Sequence, residues 1–257
     1  MSLIITPTYS RNERYCDTLV RLMDHMWPEH PEIWFLTDGN TIAHENTIQF
    51  PGANWIQILH GGVSQLRSRY PDARHVYLIL EDLYPVWECR EETLSQIHRA
   101  ALEASLNVVF FFAYQCQPPV EGAVAAGGVT FHEMSREFQY YTSLQPALWN
   151  LDYLLTVCEH ALQAGLETAW EFEWINLGRR HHVAEYHWPC IFNGLFTQGR
   201  VNLEAVRQLK AKPFSGFKRQ LLMEFIGDLP RHSFQAAVTR SRHLWNRYAN
   251  ATHGSRG

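Results

Sequence analysis

The sequence contains no Cys-x-x-Cys pair, and its five cysteines (Cys16, Cys89, Cys116, Cys158 and Cys190) are odd in number and widely spaced. That argues against a disulfide scaffold and against a structural zinc site. No apolar run approaches the roughly 20 residues that cross a bilayer as a helix, so no transmembrane segment is expected. No Gly-x-Gly-x-x-Gly follows the first apolar stretch, which disfavours a dinucleotide cofactor, and the absence of Gly-x-x-x-x-Gly-Lys-[Ser/Thr] excludes a P-loop. A strong basic field is missing too: the formal charge is −4 at pH 7, so no nucleic-acid partner is expected. Met1–Pro7 lacks a basic region ahead of a long apolar stretch and reads as the start of a fold, not a signal peptide. A cytoplasmic protein is the expectation.

With 257 residues, 46% of them hydrophobic and 19% charged, the chain is long and apolar enough for one sizeable α/β domain. Its carboxyl-terminal third is locally basic through Lys210, Lys212, Lys218, Arg219, Arg231, Arg240 and Arg242. Two readings fit that patch: a solvated helix face, or a surface for phosphates and peripheral contact with an anionic membrane.

The organising stretch is Val76–Val86, VYLILEDLYPV. Apolar residues on both faces over Val76–Leu80 predict a central strand covered on both sides. Glu81 and Asp82 then belong at its carboxyl end, because buried unpaired carboxylates lose their hydration at high cost. Upstream, Leu3–Ile5 predicts a strand ended by Pro7, and Thr8–Glu13 a polar loop. Tyr15, Leu19, Leu22, Met23 and Met26 recur at helical spacing, and Ile33–Leu36 predicts a second strand closed by Thr37-Asp38-Gly39. Trp55–Leu59 predicts a third strand, with Gly61-Gly62 freeing the backbone before a helix over Val63–Tyr70. After the central strand come a helix over Glu91–Ser105, a strand over Val108–Tyr114 and a loop over Gln115–Gly128. Leu144, Leu148, Leu151, Leu155 and Leu162 predict one long helix, and Val201–Leu209, Phe217–Ile226 and Phe234–Tyr248 three terminal ones. The expected organisation is an α/β, Rossmann-like domain over residues 1–200, its mainly parallel sheet flanked by helices. Residues 201–257 form an α-helical extension of the same unit.

Each polar segment of interest falls at a strand's carboxyl end: Thr6–Arg11 after the first, Asp38 after the second, Glu81-Asp82 after the central one. In open α/β sheets that edge is where ligands bind. Carboxylates with spare coordination positions suit Mg²⁺ or Mn²⁺, which bridge to the oxygens of a diphosphate.

LIITPTYSRNE over Leu3–Glu13 resembles the first strand and loop of nucleotide-diphospho-sugar transferases of the GT-A fold. Phe35-Leu36-Thr37-Asp38 resembles their second strand, and VYLILEDLYPV their metal-binding strand end. Tyr141–Trp149 and Ala169–Glu173 resemble the acceptor-side helix and catalytic acid region of bacterial glycosyltransferase-like proteins. The resemblance spans roughly residues 3 to 175. It implies a glycosyltransferase that takes a nucleotide-sugar donor at Thr6, Pro7, Thr8, Arg11 and Asp38. A divalent metal (Mn or Mg) would sit near Glu81 and Asp82, and the acceptor would be a saccharide or another hydroxyl compound. Glu171 or Glu173 would act as base.

One departure stands out. The family's signature is Asp-x-Asp, whereas this chain has Glu81-Asp82-Leu83, and Leu83 offers no ligand. His181, His182 and His187 are candidates for the missing one. A metal-independent enzyme, a non-catalytic nucleotide- or carbohydrate-binding protein, and a metal-dependent hydrolase using Asp38, Glu81 and Asp82 are the alternatives. Glu171 and Glu173 share a face if extended and diverge by about 200° on a helix; an acid there also suits a helix's first turn. Trp149, Trp170 and Trp174 crowd the same region, where indoles stack on sugars or fill a core.

Overall fold

The structure is a computed structural model and describes residues 2–85, 87–112 and 118–188, with the short pairs 196–197 and 200–201. The chain starts with β1 (Leu3–Thr8), a 3-10 turn over Ser10–Tyr15, α1 (Cys16–Met26) and β2 (Ile33–Thr37). A short edge strand β3 (Thr47–Gln49), α2 (Trp55–Arg69) and the central β4 (His75–Leu78) follow. Then come α3 (Glu91–Glu103), β5 (Val108–Phe110), the hairpin of β6 (Val120–Ala126) and β7 (Val129–Met134), and β8 (Ala147–Asn150). The described core closes with α4 (Leu151–Gln163), the four-residue α5 (Ala169–Phe172) and β9 (His182–Ala184).

Nine strands make one sheet in the order β3-β2-β1-β4-β8-β5-β9-β7-β6. β1 is parallel to β2, with Ile5 opposite Trp34, and to β4, with Ile4 opposite Tyr77. Period-two alternation divides the core between the two faces. Ile4, Phe35 and Tyr77 pack under α1 and α3 with Leu19, Met23, Leu94 and Ile97. Leu3, Ile5, Leu36 and Val76 pack under α2, α4 and α5 with Ile56, Val63, Leu154 and Phe172. The result is three layers, helices on both faces of a sheet.

The sheet is mixed and fits the mainly parallel one expected only in part. β8 is antiparallel to both β4 and β5, and β7 to both β6 and β9. β8 and β6, the hairpin partner of β7, come from segments with a different expectation. The leucines of Leu144–Leu162 keep helical spacing, but Ala147–Asn150 is extended and α4 begins only at Leu151. There Asn150 Oδ1 caps it by accepting from Tyr153 N at 3.0 Å. Within the expected loop Gln115–Gly128, β6 folds back on β7 through Gly127 and Gly128, at φ 53° and 77°. Positive φ at both central positions of a two-residue turn is what glycine supplies.

Trp55–Leu59 is the start of α2 and not a strand. Asn54 and Gln57 form a capping box, and Trp55, Ile56, Leu59, Val63 and Leu66 bury one helical face. Gly61 and Gly62 do not break the helix; they let it approach the sheet. A Cβ on Gly62 would lie 2.4 Å from Leu36 Cδ1, and one on Gly61 2.5 Å from Phe50 Cε1. The terminal helices expected from Val201 onward lie outside the described residues, apart from Val201 itself, which pairs with Phe196 in a two-residue strand.

Candidate functional site at the carboxyl edge of the sheet

Strand order reverses direction between β1 and β4, the position where open α/β sheets place their ligand crevice. The ladder between those strands ends at Ile5 opposite Leu78, two residues before Pro7, which has no N–H to give. Beyond that point β1 continues beside β2 alone, as far as Thr8 opposite Thr37. Thr6 and Pro7, expected at the strand's end, and Thr8, expected in the loop, are therefore inside β1 and buried. Thr6 Oγ1 has no hydrogen-bond partner among the described residues.

The loop proper is Tyr9–Asn12, and it fastens two carboxylates. Ser10 N donates to Asp38 Oδ1 at 2.6 Å, and Asn12 Nδ2 donates to Glu81 Oε1 at 2.6 Å. Between them Arg11 is exposed, its guanidinium carbon 5.1 Å from the centre of the Tyr9 ring. Asp38 thus belongs to the end of β2 and Glu81 to the turn after β4, with the β1 loop bridging both.

Glu81 is buried, and the loss of hydration raises its carboxyl to about 7 despite bonds from Asn12 and Thr8 and the nearby charge of Arg11. Asp82, half-buried beside it, is pushed well above the usual carboxylate range by burial and then by the charge of Glu81. Two adjacent carboxylates that burial and mutual repulsion both disfavour as anions are matched to a cation. Among the described residues no group of three or more His, Cys, Asp or Glu is placed to hold a metal, so Asp38 does not join the pair.

The three candidate histidines separate. His181 is spent in the core: Nδ1 bonds the Tyr141 carbonyl at 2.8 Å and Nε2 the Tyr153 hydroxyl at 2.9 Å. Burial depresses its pKa to about 4. His182 is buried within β9, and burial lowers its pKa as well. His187 is exposed on the loop after β9, next to Trp188, whose Nε1 donates to Leu83 O at 3.1 Å. It is the one whose neighbour is tied to the Glu81–Leu83 turn.

Glu171 and Glu173 lie on the same sheet edge. β8 runs backwards, so its start, Ala147, pairs with Leu78 and Phe110 at the ends of β4 and β5. Three residues before Ala147, Leu144 N donates to Glu173 Oε1 at 2.9 Å. Trp55 N, at the start of α2, meets both Glu167 O (3.1 Å) and the Tyr9 hydroxyl (3.0 Å), which ties the α5 region to the β1 loop. The two glutamates do different work. Glu171 is the capping-box acid of α5: its Oε2 accepts from Glu167 N, Thr168 N and Thr168 Oγ1 at 3.0, 2.9 and 2.8 Å, bonds that lower its pKa. Glu173 is half-buried, and burial raises its pKa against the bonds from Leu144 N and Ser143.

Two residues of the site were assigned no role from the sequence. Glu13 is buried and accepts from Thr37 Oγ1 (2.7 Å), Thr41 N (2.8 Å) and Thr41 Oγ1, so it shapes the turn that presents Asp38. Gly39 is required beside it, because a Cβ there would lie 2.3 Å from Glu13 Oε1. Tyr9 is the other, through its bond to Trp55. Glu13, the residue directly after Asn12, was visible in the sequence only as one more polar loop residue. A cavity of about 840 Å³ lies apart from these carboxylates, between β3 and α2, lined by Trp34, Thr47, Gln49, Ser64 and Arg69 among others.

No protein-family model matches the chain, and no curated protein matches it either. No helix among the described residues is long and apolar enough to cross a membrane.

Proposed function

We propose that the chain is a GT-A-like glycosyltransferase that moves a sugar from a nucleotide-diphosphate donor to an acceptor hydroxyl. The observation that carries this reading is the Tyr9–Asn12 loop, which holds Asp38 through Ser10 N and Glu81 through Asn12 Nδ2 at the point where strand order reverses. A loop with an exposed arginine between two fixed carboxylates suits a ligand with anionic phosphates at one end and hydrogen-bonding groups at the other. In this reading Arg11 meets the diphosphate and Asp38 the nucleoside. Glu81 and Asp82 are the residues that would hold a Mg²⁺ or Mn²⁺ ion. Bound there, it supplies Lewis-acid neutralisation of the leaving group's charge.

The rest of the chemistry falls to the chain. Glu173, its carboxyl made more basic by burial, takes the proton of the acceptor hydroxyl. The freed oxygen forms its bond to the anomeric carbon as the bond from that carbon to the diphosphate breaks, with inversion. Glu171 keeps α5, and so Glu173, in place through the capping box.

The experiment is a thermal-shift screen of nucleotide-sugars with Mn²⁺ and with chelator, followed by product analysis with and without acceptor. Donor-dependent stabilisation and acceptor-dependent release of nucleoside diphosphate are expected. Failure to bind any nucleotide-sugar would refute the reading. A second reading is a non-catalytic nucleotide- or carbohydrate-binding protein on the same fold. It is favoured by the lack of a third metal-ligating side chain among the described residues, and it predicts binding without either product.

A further inference from the structure

Large aromatic side chains that stay in water need an explanation when they gather at one place. Trp170, Trp174 and Tyr140 are 57%, 56% and 40% exposed; Trp170 and Trp174 flank Glu173 along the chain, three residues before it and one after. Trp170 and Trp174 each lie two residues from Phe172, which is fully buried against Trp55 and Trp149 at ring distances of 5.5 and 6.2 Å. Two residues along a helix is a rotation of about 200°, so an inward Phe172 turns Trp170 outward, and Trp174, in the turn that follows α5, is exposed as well. Tyr140 arrives from the other side, two residues before Thr142, whose N donates to Glu173 O at 3.1 Å and whose hydroxyl donates to Ile175 O.

The backbone that carries the two indoles is held. The Thr168–Glu171 capping box fixes the start of α5, and Glu173 Oε1 is fastened to Leu144 N. A platform fixed before binding loses little entropy on binding. The segment that carries the indoles is itself acidic: residues 164–178 hold Glu167, Glu171 and Glu173 and no lysine or arginine, and the nearest arginines follow at Arg179 and Arg180 and lie across from Asn176 at Arg136.

From this we infer that Trp170 and Trp174 form a saccharide-binding platform, and that the acceptor is a carbohydrate with a ring stacked on an indole and a hydroxyl turned to Glu173. The inference rests on the transferase reading for the word acceptor. The electron-rich face of an indole attracts the polarised C–H groups on a sugar ring's apolar face, while carboxylates accept from its hydroxyls. An anionic membrane is disfavoured by the same glutamates, since a surface seeking acidic lipids presents lysine and arginine.

The test uses the full chain as wild type, Trp170→Ala, Trp174→Ala and, as a control exposed indole away from α5, Trp87→Ala. Each is checked by melting temperature and then measured for retention on immobilised neutral di- to tetrasaccharides of gluco, galacto and manno configuration. Phosphatidylglycerol vesicles serve as a second probe. Wild type should bind at least one saccharide, and Trp170→Ala or Trp174→Ala should weaken that binding by about fivefold or more, Trp87→Ala leaving it unchanged. Retention on no saccharide, equal retention by all variants, or tryptophan-dependent binding to vesicles alone would each overturn the proposal. No donor enters this assay. Tryptophan-dependent saccharide binding in a protein that binds no nucleotide-sugar would therefore refute the transferase and leave the platform standing.

Discussion

Asn12 and Glu81, 69 positions apart, meet where β1 and β4 part: the amide Nδ2 of one donates to Oε1 of the other across 2.6 Å. The bond makes a buried carboxylate tolerable, yet burial still lifts Glu81 from 4.5 to about 7. Between those pH values the folded chain binds more protons at Glu81 than the unfolded chain does. Its contribution to stability is therefore greatest below pH 4.5 and is lost as pH rises towards 7. Glu81→Gln keeps an oxygen for Asn12 and removes the ionisation. The variant should match wild type near pH 4.5 and exceed it by about 3 kcal/mol at pH 8, by urea unfolding without divalent metal. Equal gains at both pH values would mean that ionisation is not the cause.

Asp38 serves the loop more than the fold. Its bond from Ser10 N is at the surface, where water replaces a lost partner at little cost. Asp38→Ala should therefore move the melting temperature little while releasing the Tyr9–Asn12 loop. Nucleoside diphosphate affinity should fall about tenfold, or about 1.4 kcal/mol, by calorimetry. Asp38→Asn, which retains an oxygen acceptor, should lie between. A large stability loss with unchanged affinity would place Asp38 in the fold and outside the site.

Gly62 separates helix propensity from packing. Alanine is the better helix former by about 1 kcal/mol, so an unconstrained position would gain from Gly62→Ala. Here the new methyl would meet Leu36 Cδ1 at 2.4 Å and Cδ2 at 2.5 Å, both atoms of a fully buried side chain. Overpacking of that kind costs typically 1–3 kcal/mol, so the variant should melt lower than wild type. Should it melt higher, α2 stands off the sheet further than described.

Much of this architecture was legible in the sequence. The apolar runs of β1, β2 and β4 end where polar residues begin, so Asp38 and Glu81-Asp82 fell at the correct strand ends. Short segments defeated periodicity. Ala147–Asn150 sits inside a leucine spacing that continues into α4, and only the cap at Asn150 marks the change. Trp55–Leu59 has apolar residues on too many sides to distinguish a buried strand from a helix start, and the Asn54–Gln57 capping box was the deciding signal. The Glu13 network could not be read at all, since its partners Thr37 and Thr41 are 24 and 28 residues away.

Glu171 and Glu173 differ by two positions and should differ in effect by orders of magnitude. Glu171 is consumed by the α5 cap, three donors converging on Oε2, and glutamine at the same position preserves an acceptor for that box. Glu171→Gln should leave turnover within a few-fold of wild type. Glu173→Gln keeps an oxygen for Leu144 N, so the fold and donor binding should survive. It removes the carboxylate just after α5 whose basicity burial raises, and loss of general-base assistance is worth about 10²–10⁴-fold, or roughly 3–5 kcal/mol of barrier. The pH profile adds a sign. A base must be ionised, so wild-type turnover should fall as pH drops through the raised pKa of Glu173. The residual rate of Glu173→Gln should lack that limb. Transfer rates at saturating donor for both variants, beside their melting temperatures, decide between the two residues. If Glu173→Gln turns over within a few-fold of wild type with the limb intact, the base is elsewhere on this edge and Glu173 only anchors the turn before β8.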